Sequence, residues 1–398
     1  MTRIAPTRIA LATPVPEDLA EEVAKRVYFV SDVITGFSLV HSQGHITAVD
    51  VTTSTAADPG HTAELTRKLN QVIATDVAGQ RHLPPRVIWR NDGSGTVRDV
   101  FDDLVARGVA FETGEGQIAV GEPFLSLMDV LDARLLALVK EQFTAQDVRY
   151  PTLIGSDVLR RTGYLGSFPQ LVMFVSRLHD DTDAYTGFLD AIGTDGSLSQ
   201  AWRTHGGDID YCLPPTMCFH TYQQFTERQL PSPSTTVTAR GKSFRFESRY
   251  RRSLERLWDF TIREVVFLGS RDFVLDARTR LMDSTYTLLD SLGLGGRCEV
   301  ANDPFFLAGA DSTWSQRLLE AKYELRLPLD DSRDVAVGSF NFHDQHFASA
   351  FGIRCAADEP AFTSCAGFGL ERLTYAFLCR HGVEPAGWPA ALRAEVRT

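Results

Sequence analysis

FTSCAGFGLERLTYAFL, residues 362–378, places a thiol two residues ahead of Gly-Phe-Gly and an arginine three residues beyond the second glycine. The pattern predicts a strand, a tight turn and an amphipathic helix. Leu370, Leu373 and Phe377 fall at i, i+3 and i+7, and Gly382 ends the run. Gly367 and Gly369 let another group approach the backbone closely. Arg372, one turn into the helix, is placed to lie over a ring or a phosphate.

Outward from this stretch the segments alternate. Residues 123–143 read as a strong helix with Phe124, Leu127, Leu131, Leu135 and Leu138 on one face. RYPTLI (149–154) reads as a strand that Pro151 confines to an edge or interface. KSFRFES and LWDFTIREVVFL read as two strands flanking an arginine-rich loop, and 271–293 as a helix closed by Gly293. Residues 1–90 read as a small α+β unit with a hairpin around Gln43-Gly44. The Pro- and Gly-punctuated 82–95 reads as a linker, which divides the chain into 1–95 and 96–398. Thr96 is expected to cap the next helix, with Asp99 at the capping-box position.

Composition narrows the function classes. No apolar run approaches the roughly 18 residues of a membrane span, and MTRIAPTRIALATPVPEDLA lacks a signal peptide's apolar core. The expectation is a soluble, cytoplasmic protein with no membrane partner. There Cys212, Cys218, Cys298, Cys355, Cys365 and Cys379 are buried fillers or metal ligands, not a disulfide framework. A net charge of −11 argues against a broad phosphate-binding surface. One local exception is 240–256, where Arg240, Lys242, Arg245, Arg249, Arg251, Arg252 and Arg256 face only Glu247 and Glu255. This run reads either as a solvated hairpin with cross-strand ion pairs or as a polyphosphate site. In the second reading Arg245 and Glu247 share a face by period-two alternation, and Phe260 on the return strand offers a flat surface to a base. Cys218, Glu264 and Cys365 are too scattered for their spacing to indicate a metal site.

Taken together, the Arg245–Phe260 and Cys365–Arg372 segments resemble motifs 2 and 3 of class II aminoacyl-tRNA synthetases, and the helix leading into RYPTLI resembles motif 1. EAKYELRLPL (320–329) is similar to a stretch of seryl-tRNA synthetases. GYLGSFPQLV, LPPTMCF, FRFES, FTIREVVFLG, ANDPFF, SFNFHDQHF, SCAGFGLERL and RHGVEPAGWPAALR resemble, in that order, the amino acid:[carrier protein] ligases, truncated relatives of the atypical zinc-dependent seryl-tRNA synthetases. The resemblance covers roughly residues 97–395. It implies an α+β fold, an antiparallel sheet flanked by helices, and a homodimer joined through motif 1. It implies zinc on Cys218, Glu264 and Cys365, so that Glu264 also serves the substrate amine, with Asn341 beside the substrate. Arg245, Glu247, Arg256, Phe260, Ser339 and Arg372 would serve ATP and its magnesium, with Arg245, Glu247 and Arg372 acting in catalysis. The implied reaction activates a small amino acid as an aminoacyl-adenylate and passes it to the phosphopantetheine thiol of an acyl or peptidyl carrier protein. The alternatives are a seryl-type tRNA synthetase, a ligase acylating a small-molecule or peptide amine, and a non-catalytic nucleotide-binding paralogue. Two departures stand out: Ala336 occupies the place of a magnesium-binding glutamate, and residues 1–95 have no counterpart.

Overall fold

The computed structural model describes residues 6–54, 59–78, 86–93, 95–193, 196–247, 253–301, 321–355 and 358–396. Arg249, Arg251, Arg252 and all of ANDPFF except Ala301 lie outside the described residues. The first elements are β1 (Thr7–Pro16), α1 (Ala20–Val27), β2 (Ile34–Ser42), β3 (His45–Thr53) and α2 (Pro59–Asp76). They form an antiparallel sheet in the order β1-β3-β2, sharing with both helices a core that includes Ile9, Val23, Val49 and Leu69. Gln43 and Gly44 take φ values of +50° and +74°, the left-handed pair that a two-residue turn between twisted strands requires.

The large sheet begins with β4 (Val87–Asn91). It continues through β5 (Gln146–Asp147), β6 (Thr235–Phe244), β7 (Asp259–Gly269), β8 (Gly296–Ala301), β9 (Lys322–Pro328), β10 (Asp334–Phe342) and β11 (Phe362–Gly369). The spatial order is β4-β8-β9-β10-β11-β7-β6-β5, antiparallel throughout except for the two-residue pairing of β6 with β5 at the edge. Adjacent strand residues point to opposite faces. Val265, Phe267, Phe340, Ala366 and Phe368 therefore pack on one side, in one core with α4 (Phe124–Phe143), α6 (Arg271–Ser291) and α7 (Leu370–His381). On the other side Val266, Leu268 and Cys365 meet α5 (Cys218–Gln224) and the ring of Phe347. A short helix, α3 (Phe101–Ala106), precedes α4.

Several expectations need correction. RYPTLI is not a strand: β5 ends at Asp147 and only Ile154 re-enters a short sheet, because Pro151 has no N–H to donate to a ladder. Residues 87–91 are a strand and not linker, since β4 pairs with β8 and Trp89 stacks on Tyr286 at 4.4 Å. The helix placed at Thr96 starts at Phe101, whose N–H bonds the Asp99 carboxylate at 2.9 Å. KSFRFES leaves the sheet early. Arg245 N–H makes the last bond across to Trp258, and the Phe246 N–H turns to Leu171 O instead. Helix α7 is not amphipathic, because Leu370, Glu371 and Leu373–Cys379 are all buried. It is wedged into the core and covered by Trp388, whose ring meets Phe377 at 5.7 Å. Among the cysteines, Cys355 is half-buried and the other five are buried, all as free thiols. Among the described residues no helix is long and apolar enough to cross a membrane.

Candidate active site

Strand register builds the floor of the site. Across β7, β11, β10 and β9, Glu264, Gly367, Ser339 and Glu324 stand in one row, and Val266, Cys365, Asn341 and Lys322 in the next. Rows two residues apart face the same side. Cys218 opens α5 above them, and its sulfur, the Cys365 sulfur and a Glu264 carboxylate oxygen all lie within 4.8 Å of one another, each residue buried. Gly367 is what leaves this space. A Cβ there would stand 3.4 Å from both Glu264 oxygens and 2.8 Å from Ile262 Cδ1. The glycine at the opening stretch serves close approach, as expected, and what approaches it is a carboxylate.

Donors surround the three groups. Thr216 Oγ1 donates to Glu264 Oε2 at 3.2 Å and lies 3.5 Å from Cys218 Sγ. Asn341 Nδ2 donates to Cys365 Sγ at 3.5 Å, and His343 Nε2 lies 3.6 Å from the same sulfur. Burial pushes the Glu264 carboxyl up to about 7. The Cys218 hydrogen bond and burial push the Cys365 thiol well above its ordinary value. Two buried thiols and one buried carboxylate form a donor set suited to a divalent metal of borderline softness.

Beside this cluster runs a cleft whose walls include Arg245, Glu247, Phe260 and Arg372, with Ser339 and Asn341 on its floor. Arg256 Nη1 pairs with Glu247 Oε2 at 2.9 Å, so it reaches the same wall. This ion pair and the backbone turn bring Glu247 to the cleft, which strand alternation does not. Arg245 Nε donates to Pro215 O at 3.0 Å, and its guanidinium lies 5.4 Å above the Phe260 ring. Arg372 is held from two sides, by Glu255 O at 2.7 Å and Ala336 O at 3.1 Å. Burial, then the neighbouring Arg256, pushes it down to about 10, so it stays charged at neutral pH. Of the other described cations in the basic run, Arg240 pairs with Asp129 at 2.8 Å and Lys242 with Asp259 at 2.9 Å.

Sequence reasoning missed four residues. Lys322 and Glu324 line the cleft and pair at 3.1 Å, a placement that alternation along β9 would have indicated. Glu371 accepts from Thr261 N at 2.8 Å and from its hydroxyl at 2.7 Å, tying α7 to β7 beside Phe260. Nothing local marks His343. Directly behind Glu264, Arg263 points to the opposite face and bonds Asp132 of α4 through two contacts of 2.7 Å.

No protein-family model matches the chain. It is 33% identical over 273 residues to amino acid–[acyl-carrier-protein] ligase 1 of Bradyrhizobium diazoefficiens, covering 67% of this chain and 82% of that protein. Ligase 2 of the same organism is 36% identical over 252 residues, 62% of this chain and 73% of the relative. The type-2 serine–tRNA ligase of Methanococcus maripaludis is 28% identical over 294 residues, 71% of this chain but 57% of its own. Among solved structures, M. kandleri SerRS in complex with A. aeolicus tRNASec superposes with a TM-score of 0.71 at 23% identity, covering 92% of this chain and 73% of that one. The fold is that of class II aminoacyl-tRNA synthetases. On the extent and identity of its match to two ligases of one kind, the chain is an enzyme that belongs to the amino acid–[acyl-carrier-protein] ligase family.

Proposed function

We propose that this protein activates a small amino acid with ATP and transfers it to the phosphopantetheine thiol of a carrier protein. The observation that carries the reading is the juxtaposition of an arginine-lined cleft with a buried thiol–carboxylate cluster. Cys218, Glu264 and Cys365 would hold a zinc ion and leave a fourth position open. Zinc bound there supplies a Lewis-acid site for the neutral amine of the substrate, which orients the amino acid. Asn341 stands beside the thiol–carboxylate cluster, bonded through Nδ2 to Ser339 and Cys365. Arg245 neutralises the α-phosphate, Arg256 and Glu247 serve the nucleotide, and Phe260 and Arg372 hold adenine between them. Magnesium enters with ATP, since Glu324 is already held by Lys322 at 3.1 Å and Arg326 at 3.0 Å and Ala336 offers no carboxylate.

An oxygen of the substrate carboxylate attacks the α-phosphorus, the bond to the bridging oxygen breaks, and pyrophosphate leaves. The phosphopantetheine thiolate then attacks the acyl carbon and AMP departs. The reactants supply nucleophiles and leaving groups, so the protein contributes position and fixed positive charge. The acceptor reading draws support from the dispersal of Arg240, Lys242 and Arg256 into separate ion pairs, because tRNA binding depends on an extended basic footprint. A homodimer formed through 123–154 and an accessory role for residues 1–95 complete the reading.

The experiment has two stages. Amino-acid-dependent exchange of pyrophosphate into ATP, run over a panel of amino acids, identifies the substrate. Labelled amino acid offered with holo carrier protein or with bulk tRNA then identifies the acceptor. Label on tRNA alone overturns the carrier reading, and label on neither points to a small-molecule acceptor.

A further inference from the structure

We propose that His343 is a positioning residue for the metal site: its Nε2–H donates to the Cys365 sulfur and draws off part of the charge that sulfur would otherwise give a bound ion. The inference rests on the zinc reading above. His343 follows β10 directly, is 6% exposed, and is fixed by its own N–H to Thr363 O at 2.9 Å. That bond sets the imidazole beside Cys365, two residues along β11. Nε2 stands 3.6 Å from Cys365 Sγ. Nδ1 faces the hydroxyls of Tyr222 at 3.2 Å and Thr363 at 3.4 Å. The Phe347 ring packs against the imidazole edge-on at 4.9 Å.

The hydrogen-bond direction follows from Tyr222 and Cys365. The Tyr222 hydroxyl and that of Thr363 both face Nδ1 and can donate there. A metal-bound Cys365 thiolate has no hydrogen to give, so its hydrogen bond with the imidazole needs the hydrogen on Nε2 and leaves Nδ1 as the acceptor. Donation runs one way, from Tyr222 through His343 to Cys365. Two thiolates and a carboxylate bring more negative charge than a divalent ion neutralises. N–H donors on sulfur relieve that excess, and Asn341 provides the other one. A less electron-rich sulfur leaves the ion more affinity for a fourth ligand, which here is the substrate's amine.

The test uses full-length protein, with zinc affinity read by chelator competition and the cobalt-substituted form read by its sulfur-to-metal charge-transfer band. His343→Leu should weaken zinc binding about tenfold or more, the scale of lost outer-shell partners. It should also move the cobalt band to longer wavelength and raise KM for the amino acid more than it lowers kcat. His343→Gln returns an N–H to the sulfur and should restore both affinity and band. Tyr222→Phe keeps the ring packing, removes only the Tyr222 donor to Nδ1, and should shift the band the same way; it decides the matter if His343→Leu does not fold. Zinc bound by the parent protein with affinity and band unchanged in these variants overturns this inference alone. A parent protein that binds no zinc overturns the metal reading and this inference with it.

Discussion

Asp132→Asn probes the buried ion pair that ties α4 to the strand carrying Glu264. The Asp132 and Arg263 side chains are 7% and 4% exposed. Arg263 Nε and Nη2 each donate to one carboxylate oxygen at 2.7 Å, a bidentate arrangement. Asparagine keeps the shape, loses the charge and one acceptor, and strands a guanidinium in the core. Breaking such a pair costs about 3–5 kcal/mol. Asp147 Oδ1 remains 3.4 Å from Arg263 Nη1, so the lower end applies, about 3 kcal/mol. Against a total stability of about 5–15 kcal/mol this is a large fraction. Urea unfolding followed by tryptophan fluorescence reads it, because the tryptophans among the described residues, Trp89, Trp202, Trp258 and Trp388, all lie outside the N-terminal sheet. With a slope near 3 kcal/mol per molar urea, the midpoint should fall by about 1 M. Adding Arg263→Met removes the stranded charge and should recover part of the loss. A single variant within about 0.5 kcal/mol of the parent, as for a surface pair, would refute the reasoning.

Metal analysis should find a single equivalent of zinc in the parent chain and none in Cys365→Ser; full retention sinks the ligand assignment. Gly367→Ala sets a methyl 3.4 Å from the Glu264 oxygens, so zinc affinity should drop while the urea midpoint holds. Unchanged affinity would show that the glycine keeps no space for the metal. On the proposed role of Arg372 at the nucleotide, Arg372→Ala should cost about 1.5–3 kcal/mol, roughly a tenfold to hundredfold loss in pyrophosphate exchange. Activity within twofold of the parent rejects its role at the nucleotide. Light scattering at micromolar concentration should return a dimer, and a monomer would reject the 123–154 interface.

Long periodic segments were legible from residues alone. The helices at 124–143 and 271–291, the Gln43-Gly44 hairpin and the strand into β11 all follow from local pattern. The identities of Cys218, Glu264 and Cys365 came from resemblance, since 46 and 101 residues separate them and no spacing rule spans such gaps. Boundaries failed where tertiary partners outbid local preference. Phe246 bonds Leu171 instead of a sheet neighbour, and α7 is buried all round because a C-terminal segment covers it.

What the sequence determined by itself is which side of a strand each residue takes. Arg263 and Glu264 must face opposite ways, so one of the pair serves the core and the other the site. Only the tertiary structure decided what each one meets. Register across β7, β11, β10 and β9 brought Glu264, Gly367 and Ser339 into one row, and the start of α5 lowered Cys218 onto it. His343 and Tyr222 became neighbours of Cys365 in the same way, across 121 positions of chain. Such meetings depend on strand order and on which face a helix covers. Those are set by the burial of the whole sheet, and no short window of sequence contains them.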